Sequence, residues 1–457
     1  MLSCFRHTWA LLAVTALIAA ALPAQARRDV AQEQARTAPA WARDGLIYEL
    51  NTRTFSATGN FAGVTARLGE LKALGVSIVW LMPIHPLGQV KKKGTVGSPY
   101  AVQDYYGINP AYGTKEDFKR LVAEAHRQGL KVIMDIVANH TSWDNVMMRT
   151  PAYYRRDASG NVVSPYDWTD VAALDYSNPA LRKYITDMLV HWVREYDVDG
   201  FRCDVAGEVP LDFWEQARTS LEQVKRDIFL LAEAERPNLL VRAFDADYGW
   251  AMYHAMTDVI TRGRSARAVR ETWEQERRTY PRGALHMRIA DDHDEKRALA
   301  LFGERGAMAA TALIFTLDGI PLLYNGQEAG DATESRAPAL FEALPVSWGS
   351  REIHPDVPRF HRGVIGLRAA HVALRQGSTT WLGNSDEERI VTFLRGDGTE
   401  QVLVAINLSS RPFAGTVEAS GDWTEVTPGA DAARAPGLPA LSLEAWGFRA
   451  FRKPQSH

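Results

Sequence analysis

DGFRCDVAGE, residues 199–208, sets two full charges, Arg202 and Asp204, inside what otherwise reads as a buried strand. Side chains alternate between the two faces of a strand, so Arg202 and Asp204 share one face and Cys203 takes the other. Working outward, VDGFRCDV (198–205) has apolar, β-branched counterparts in LIYEL (46–50), VSIVWLM (76–82), KVIMDIV (131–137) and IFLLAEAE (228–235). Weaker strand candidates stand at MTDVI (256–260), LHMRIAD (285–291) and GIPLLYN (319–325). Amphipathic helical patterns separate them, among them NPALRKYITDMLVHWVREY, and FAGVTARLGELKALG and EDFKRLVAEAHRQG, the last two each closed by a glycine in the C-cap place. Eight strands, mostly with helices between them, predict a (β/α)8 TIM barrel over residues 41–375. A doubly wound open sheet fits the same alternation.

The flanks differ in texture. From residue 376 the chain turns to short alternating stretches, such as ERIVTFLRGDGTEQVLVAINLSS and LPALSLEAWGFRAFRK, which predict an antiparallel β-sandwich domain over 376–457. Residues 27–40 are polar and Ala-rich, a flexible lead-in. Ahead of them, MLSCFRHT, the 13-residue apolar run ALLAVTALIAAAL and the small-x-small end of PAQA predict a cleaved signal peptide over 1–26, and hence a secreted or periplasmic protein. A membrane anchor is the alternative, but a span needs about 20 apolar residues. Cys4 falls in the signal, so Cys203 is expected as a single buried, inert thiol. With 52 Lys plus Arg scattered among 55 Asp plus Glu, nothing marks a nucleic-acid or anionic-membrane partner, and a monomer free of the membrane after signal cleavage is expected.

In a TIM barrel the C-terminal strand ends share one mouth, where active sites are built. Here they deliver Asp135, Asn139 and His140 after the third strand, Arg202 and Asp204 in the fourth, Glu233 in the fifth, and His293 and Asp294 after the seventh. Any one of these acids could be a helix cap or a loop hydrogen-bonder. Together they form a catalytic constellation. Pairing with Arg202 is expected to keep Asp204 ionised, as a nucleophile requires, while the apolar FLLA ahead of Glu233 is expected to hold its proton, as a general acid requires. Such a pair meets the demands of retaining glycoside hydrolysis. Metal-assisted hydrolysis through His140 and His293 lacks a close-spaced ligand motif.

The sequence from about Trp41 onward resembles the α-amylase family, glycoside hydrolase family 13. DIVANH, GFRCD, LLAEAE and DDHDEKR are similar to its four signatures in order, and SPYAVQDYYGINPAYGT and GIPLLYNGQE match further family patterns. The resemblance implies Asp204 as nucleophile, Glu233 as acid/base and Asp294 as transition-state stabiliser. It further implies that Arg202 orients Asp204, that His140 and His293 bind the sugar in the first donor subsite, that Tyr100 stacks on that ring, and that Asp135 and Glu208 lie along the substrate site. Trp143 and Trp168 are candidate sugar platforms, and Asp104 a loop support.

The likeness also implies a B domain, here a short excursion over 138–178. Three positions depart from the family pattern: Gly207 and Glu208 replace a frequent Lys-His pair, Asp292 replaces the Asn of the fourth signature, and Ala173 stands where many members place a calcium-binding Asp. No metal or other cofactor is therefore expected. The function expected is that of a retaining α-glucan hydrolase cleaving α-1,4 bonds in starch or maltooligosaccharides. Alternatives are a relative that transfers glucosyl units or acts on dextrins, pullulan or sucrose, and a non-catalytic α-glucan-binding protein on the same scaffold.

Overall fold

The computed structural model describes residues 29–430 and 437–454. The expected signal, 1–26, lies outside the described residues. Eight parallel strands close into a barrel: Ile47–Leu50, Ile78–Leu81, Lys131–Val137, Gly200–Asp204, Phe229–Ala232, Ala246–Tyr248, His286–Arg288 and Ile320–Tyr324. Closure is direct, the first strand pairing with the eighth at Ile47 and Leu322, which excludes the open sheet.

The surrounding helices are fixed by their ends and one apolar stripe. Lys115–Arg127 starts at a reciprocal capping box between Thr114 and Asp117 and buries Phe118, Leu121, Val122 and Ala125, the 3.6-residue stripe that faces the barrel. Pro179–Tyr196 starts with proline in the first turn behind an Asn178 cap and stops at Asp197 in the left-handed region.

Two strand readings need correction. MTDVI (256–260) lies within the helix Trp250–Arg262, whose buried Met252, Tyr253, Ala255, Met256 and Val259 recur at helical spacing. Its β-branched residues were misleading, because burial on a helix face overrides local preference. The sixth strand is Ala246–Tyr248, three residues centred on the charged Asp247 and too short to show alternation. The fifth strand ends at Ala232, so Glu233 stands just past it, on the mouth.

Between the third strand and the helix at Pro179, His140–Ser142 pairs antiparallel with Val171–Ala173, His140 opposite Ala173. The C-terminal part forms a five-stranded antiparallel sheet, Ser378–Trp381, Ile390–Gly396, Glu400–Asn407, Phe448–Pro454 and Thr424–Glu425 in spatial order, faced by the pair Phe413–Thr416 and Ala440–Leu443. Alternation assigns its faces: Ile390, Leu403 and Phe451 join a separate core with Phe413 and Leu443, while Val391, Phe393 and Val404 join the barrel's core.

Candidate active site

The site is organised around Arg202, which is fully buried. Parallel pairing sets Asp135 directly opposite Arg202 on the neighbouring strand, and Asp204 lies two residues on, on the same face. Arg202 Nη1 donates to Asp135 Oδ1 and Asp204 Oδ1, both at 3.0 Å, Nη2 lies 2.9 Å from Glu233 Oε2, and Nε donates to the Tyr248 hydroxyl at 3.2 Å. Its guanidinium carbon lies 5.2, 5.6 and 5.7 Å from the ring centres of Trp80, Tyr100 and Tyr248, so aromatic faces supplement the ion pairs. One cation thus answers three carboxylates.

This arrangement changes the electrostatic expectation for Asp204. Burial and the nearby Glu233 carboxylate push Asp204 well up, against the pull of Arg202. Reading the ion pair alone neglected desolvation. Burial likewise raises Asp135 to about 6, opposed by Arg202 and His293. Asp204 Oδ1 is held by Arg202, whereas the buried Oδ2 accepts no hydrogen bond and lies 4.0 Å from His140 Nε2. Glu233 Oε2 accepts from the Val205 amide at 2.7 Å. Val205 adopts φ 46°, ψ 40°, the left-handed region that a β-branched residue enters at a cost of about 1–3 kcal/mol. That turn aims its N–H at Glu233.

A second centre is His293, which stacks on Tyr100 at 5.3 Å with 20° between the rings. Its Nδ1 bonds Glu49, Nε2 lies 2.8 Å from the Tyr100 hydroxyl and 3.2 Å from Asp294 Oδ2, and Tyr100 also donates to Asp135 Oδ2 at 3.0 Å. Burial works against protonation of His293, but Asp294 and Glu49 outweigh it and raise its pKa well above the usual value, which favours the imidazolium. Burial lowers His140 to about 4, leaving it neutral. Glu49 was missed by sequence reasoning, although a lone acid within LIYEL is the same kind of signal as Arg202 in its strand.

The structure therefore brings Asp135, His140, Arg202, Asp204, Glu233, His293, Asp294 and Tyr100 to one mouth. Glu208 lies farther out, in the short turn Ala206–Glu208, paired with Arg236 at 2.7 Å and hydrogen-bonded by the Tyr166 hydroxyl. A Cβ on Gly207 would meet Arg236 Nε at 2.8 Å, so Arg236 occupies the space a larger side chain would need. Trp143 is a poor free platform: Lys91 Nζ sits 3.4 Å over its ring, and its Nε1 donates to Thr169 O. Trp168 packs edge-on to His140 and against Tyr166, which is 64% exposed on the rim. Neither Tyr166 nor Arg236 was picked out from sequence, since both lie in irregular segments without a period. Cys203 is buried, and burial pushes its thiol up, as expected of an inert residue.

Asp292, which stands where the resembled family pattern has Asn, props the turn that carries Asp294. Its Oδ1 accepts from the Asp294 and Glu295 amides, both at 2.9 Å. Burial, with Glu49 and Asp294, pushes its pKa well up against the pull of His293. A protonated carboxyl offers one acceptor and one donor, as an amide does. The raised folded-state pKa contributes stability at low pH that is lost as pH rises through it. Asp292→Asn, which cannot ionise, is therefore expected to raise Tm increasingly between pH 5 and pH 9 while keeping kcat within about threefold, since the Oδ1 hydrogen bonds survive. Thermal melts across that range check it, and a Tm difference independent of pH would refute the neutral-acid reading.

The resemblance also implies that Asn139 would share a calcium with the acid that Ala173 replaces, and the side chains here do not fit that ion. Ala173 offers no side-chain oxygen, Asp175 Oδ1 accepts from the Ser177 amide at 3.0 Å, and Asp170 is paired with Lys93 at 2.8 Å. Calcium needs six to eight oxygens at about 2.3–2.6 Å. Activity and Tm are expected to be unchanged by EDTA, and a fall of more than a few degrees reversed by calcium would overturn this.

The family model "Alpha amylase, catalytic domain" matches residues 47–159 and 165–343. Among curated proteins, α-amylase MalA of Haloarcula japonica is 28% identical over 420 residues, covering 88% of this chain and 60% of its own length. A cyclomaltodextrinase of a Bacillus species is 26% identical over 425 residues, covering 81% and 73%. Among solved structures, a noncanonic maltogenic α-amylase, AmyB of Thermotoga neapolitana, superposes with a TM-score of 0.80 at 32% identity, covering 91% of this chain and 97% of that one. With the family model matching most of the chain and the carboxylate cluster at the barrel mouth, the protein belongs to the α-amylase family and is a retaining glycoside hydrolase acting on glucans.

Proposed function

We propose that the enzyme acts on short α-1,4-linked glucans, linear and cyclic dextrins, in preference to long starch chains, and that it transfers as well as hydrolyses. The observation that carries the chemistry is Arg202 holding Asp204 and Glu233 on adjacent nitrogens, with Asp204 Oδ2 left free. Carboxyl groups sharing one guanidinium suit the roughly 5 Å separation of a retaining pair. In this reading Glu233 gives its proton to the glycosidic oxygen as Asp204 Oδ2 attacks the anomeric carbon. The C–O bond breaks, the leaving chain departs as an alcohol, and a glucosyl ester forms on Asp204. Water or an acceptor hydroxyl, losing its proton to Glu233, then displaces Asp204. Asp294, beside the His293 imidazolium, faces the positive charge that develops on the ring. His140, being neutral, donates Nε2–H to the sugar.

The preference for dextrins rests on the names of the relatives, which include cyclomaltodextrinase and maltogenic α-amylase, and on the acceptor rim of Glu208, Arg236 and Tyr166. A charged, aromatic rim favours a bound sugar acceptor over water. Starch-type α-amylase action is the second reading, favoured by the name of MalA. Initial rates on maltoheptaose, cyclic dextrins, pullulan and soluble starch, with the anomer of the first product followed by NMR, test the proposal. The α anomer is expected, with kcat/KM for dextrins above starch by about tenfold, a difference of roughly 1.4 kcal/mol in transition-state binding. Glu208→His is expected to shift products of maltotetraose from transfer toward hydrolysis. A β anomer, or starch as the better substrate, would overturn the corresponding part.

Secretion or periplasmic placement is proposed from the 13-residue apolar run and the PAQA end alone, and a monomer from the scattered charge. The first residue of the exported protein, expected at Arg27, checks the former by mass spectrometry, and light scattering the latter.

A further inference from the structure

At the end of the barrel opposite the catalytic mouth, a cavity of about 420 Å³ opens between the starts of the last two strands and the C-terminal sheet. Five arginines line it: Arg43, Arg277, Arg288, Arg375 and Arg395. Three have carboxylate partners. Arg288 forks onto Glu276 with two bonds of 2.7 Å, Arg277 pairs with Asp318, and Arg43 pairs with Asp44 at 3.0 Å. The other two meet only backbone carbonyls among the described residues. Arg395, 1% exposed, donates to Thr316 O, Leu374 O and Gly377 O, and its buried Nε has no partner. Arg375 donates to Arg368 O and Ala369 O. Arg368, behind the cavity and 4% exposed, also bonds carbonyls alone and keeps a buried, unpartnered Nε.

Arginine stays charged at any working pH, and a buried charge with no counter-charge is costly. Burial and the charges of Arg277 and Arg288 all disfavour the cation at Arg395; burial, Arg395 and Arg375 do the same at Arg368, against a weaker pull from Asp44. The surplus is thus local and positive, and two of its members, Arg375 and Arg395, line the cavity. Guanidinium forks match tetrahedral oxyanions bidentately, and the space exceeds what a halide fills.

The geometry points to an anion site on the barrel floor, built by Arg277, Arg375 and Arg395 beside the Glu276-bound Arg288, that takes a phosphate group, whether inorganic phosphate or the monoester of a sugar. The ligand bridges the barrel and the C-terminal sheet, and so ties the two together.

Titration calorimetry of the full chain with sodium phosphate and, separately, glucose 1-phosphate, at fixed ionic strength set with sodium chloride, tests this. Saturable one-site binding is expected. Arg375→Gln and Arg277→Gln should each weaken it at least about tenfold, the loss of one charge-assisted contact. Asp318→Asn should tighten it, since it removes the one acid lining the cavity; a purely structural Asp318 would give no gain. Melts of each variant confirm folding. Tighter binding of glucose 1-phosphate assigns a sugar phosphate, and equal or weaker binding assigns inorganic phosphate; both uphold the site. No saturation by either up to about 10 mM, a free energy of only a few kcal/mol, or variants that bind as the unaltered protein does, would overturn it.

Discussion

Asp204→Asn is expected to lower kcat by at least about 10³-fold, because it removes the group that forms the covalent bond and not merely a contact. The amide is isosteric and retains an oxygen for Arg202 Nη1, now 3.0 Å from Asp204 Oδ1, so folding should survive. The residue is 6% exposed and its charge is unfavourable in this setting, raised by burial and Glu233. Neutralising it should therefore leave Tm unchanged or higher. Steady-state kinetics with a melting curve check both halves. A variant with more than about a tenth of normal kcat would remove Asp204 from the nucleophile's role. The raised pKa has its own signature: activity falls as pH drops through the folded value, so the acid limb of kcat/KM should lie above about 4, the ordinary aspartate value.

Arg202→Met should be nearly as damaging to activity and far more so to the fold. It removes the one cation bonded to Asp135, Asp204 and Glu233, and breaking a buried ion pair from one side costs about 3–5 kcal/mol. The stranded carboxylates respond by taking up protons, which silences the nucleophile. Loss of kcat by about 10³ or more, together with a lower Tm at neutral pH that recovers partly in acid, is the expected pattern. Arg202→Lys should rescue little, because a point charge cannot span three acids as a planar fork does. A normal Tm for Arg202→Met would contradict the central role given to this residue.

Much of this site was legible because strand ends are. Asp135, Arg202 and Asp204 are charges in apolar β-branched runs, and period-two alternation alone turns all three to one mouth. Glu49 carried an equally strong signal and went unread: it is a lone acid one residue before the end of the first strand, flanked by Tyr48 and Leu50, and no second charge in that short run drew attention to it. The sixth strand was hidden for another reason: three residues around Asp247 show no period, and the neighbouring MTDVI offered a better local match that helix packing then overrode. The rim residues Tyr166 and Arg236 come from irregular chain, where only the folded loop reveals who meets whom. The pKa of Asp204 was misjudged because pairing is visible in a sequence and desolvation is not.

The short antiparallel ladder of His140–Ser142 with Val171–Ala173 has a consequence for how such an enzyme can diversify. It fastens the two ends of the excursion together right at His140, so the chain from 143 to 170 leaves and returns through one hydrogen-bonded clasp. Lengthening a closed loop costs only about 0.6 kcal/mol per doubling. Insertions or grafts between the clasped ends can therefore remodel the outer cleft, and with it the appetite for long, short or ring-shaped chains, while the reacting groups stay where the barrel puts them.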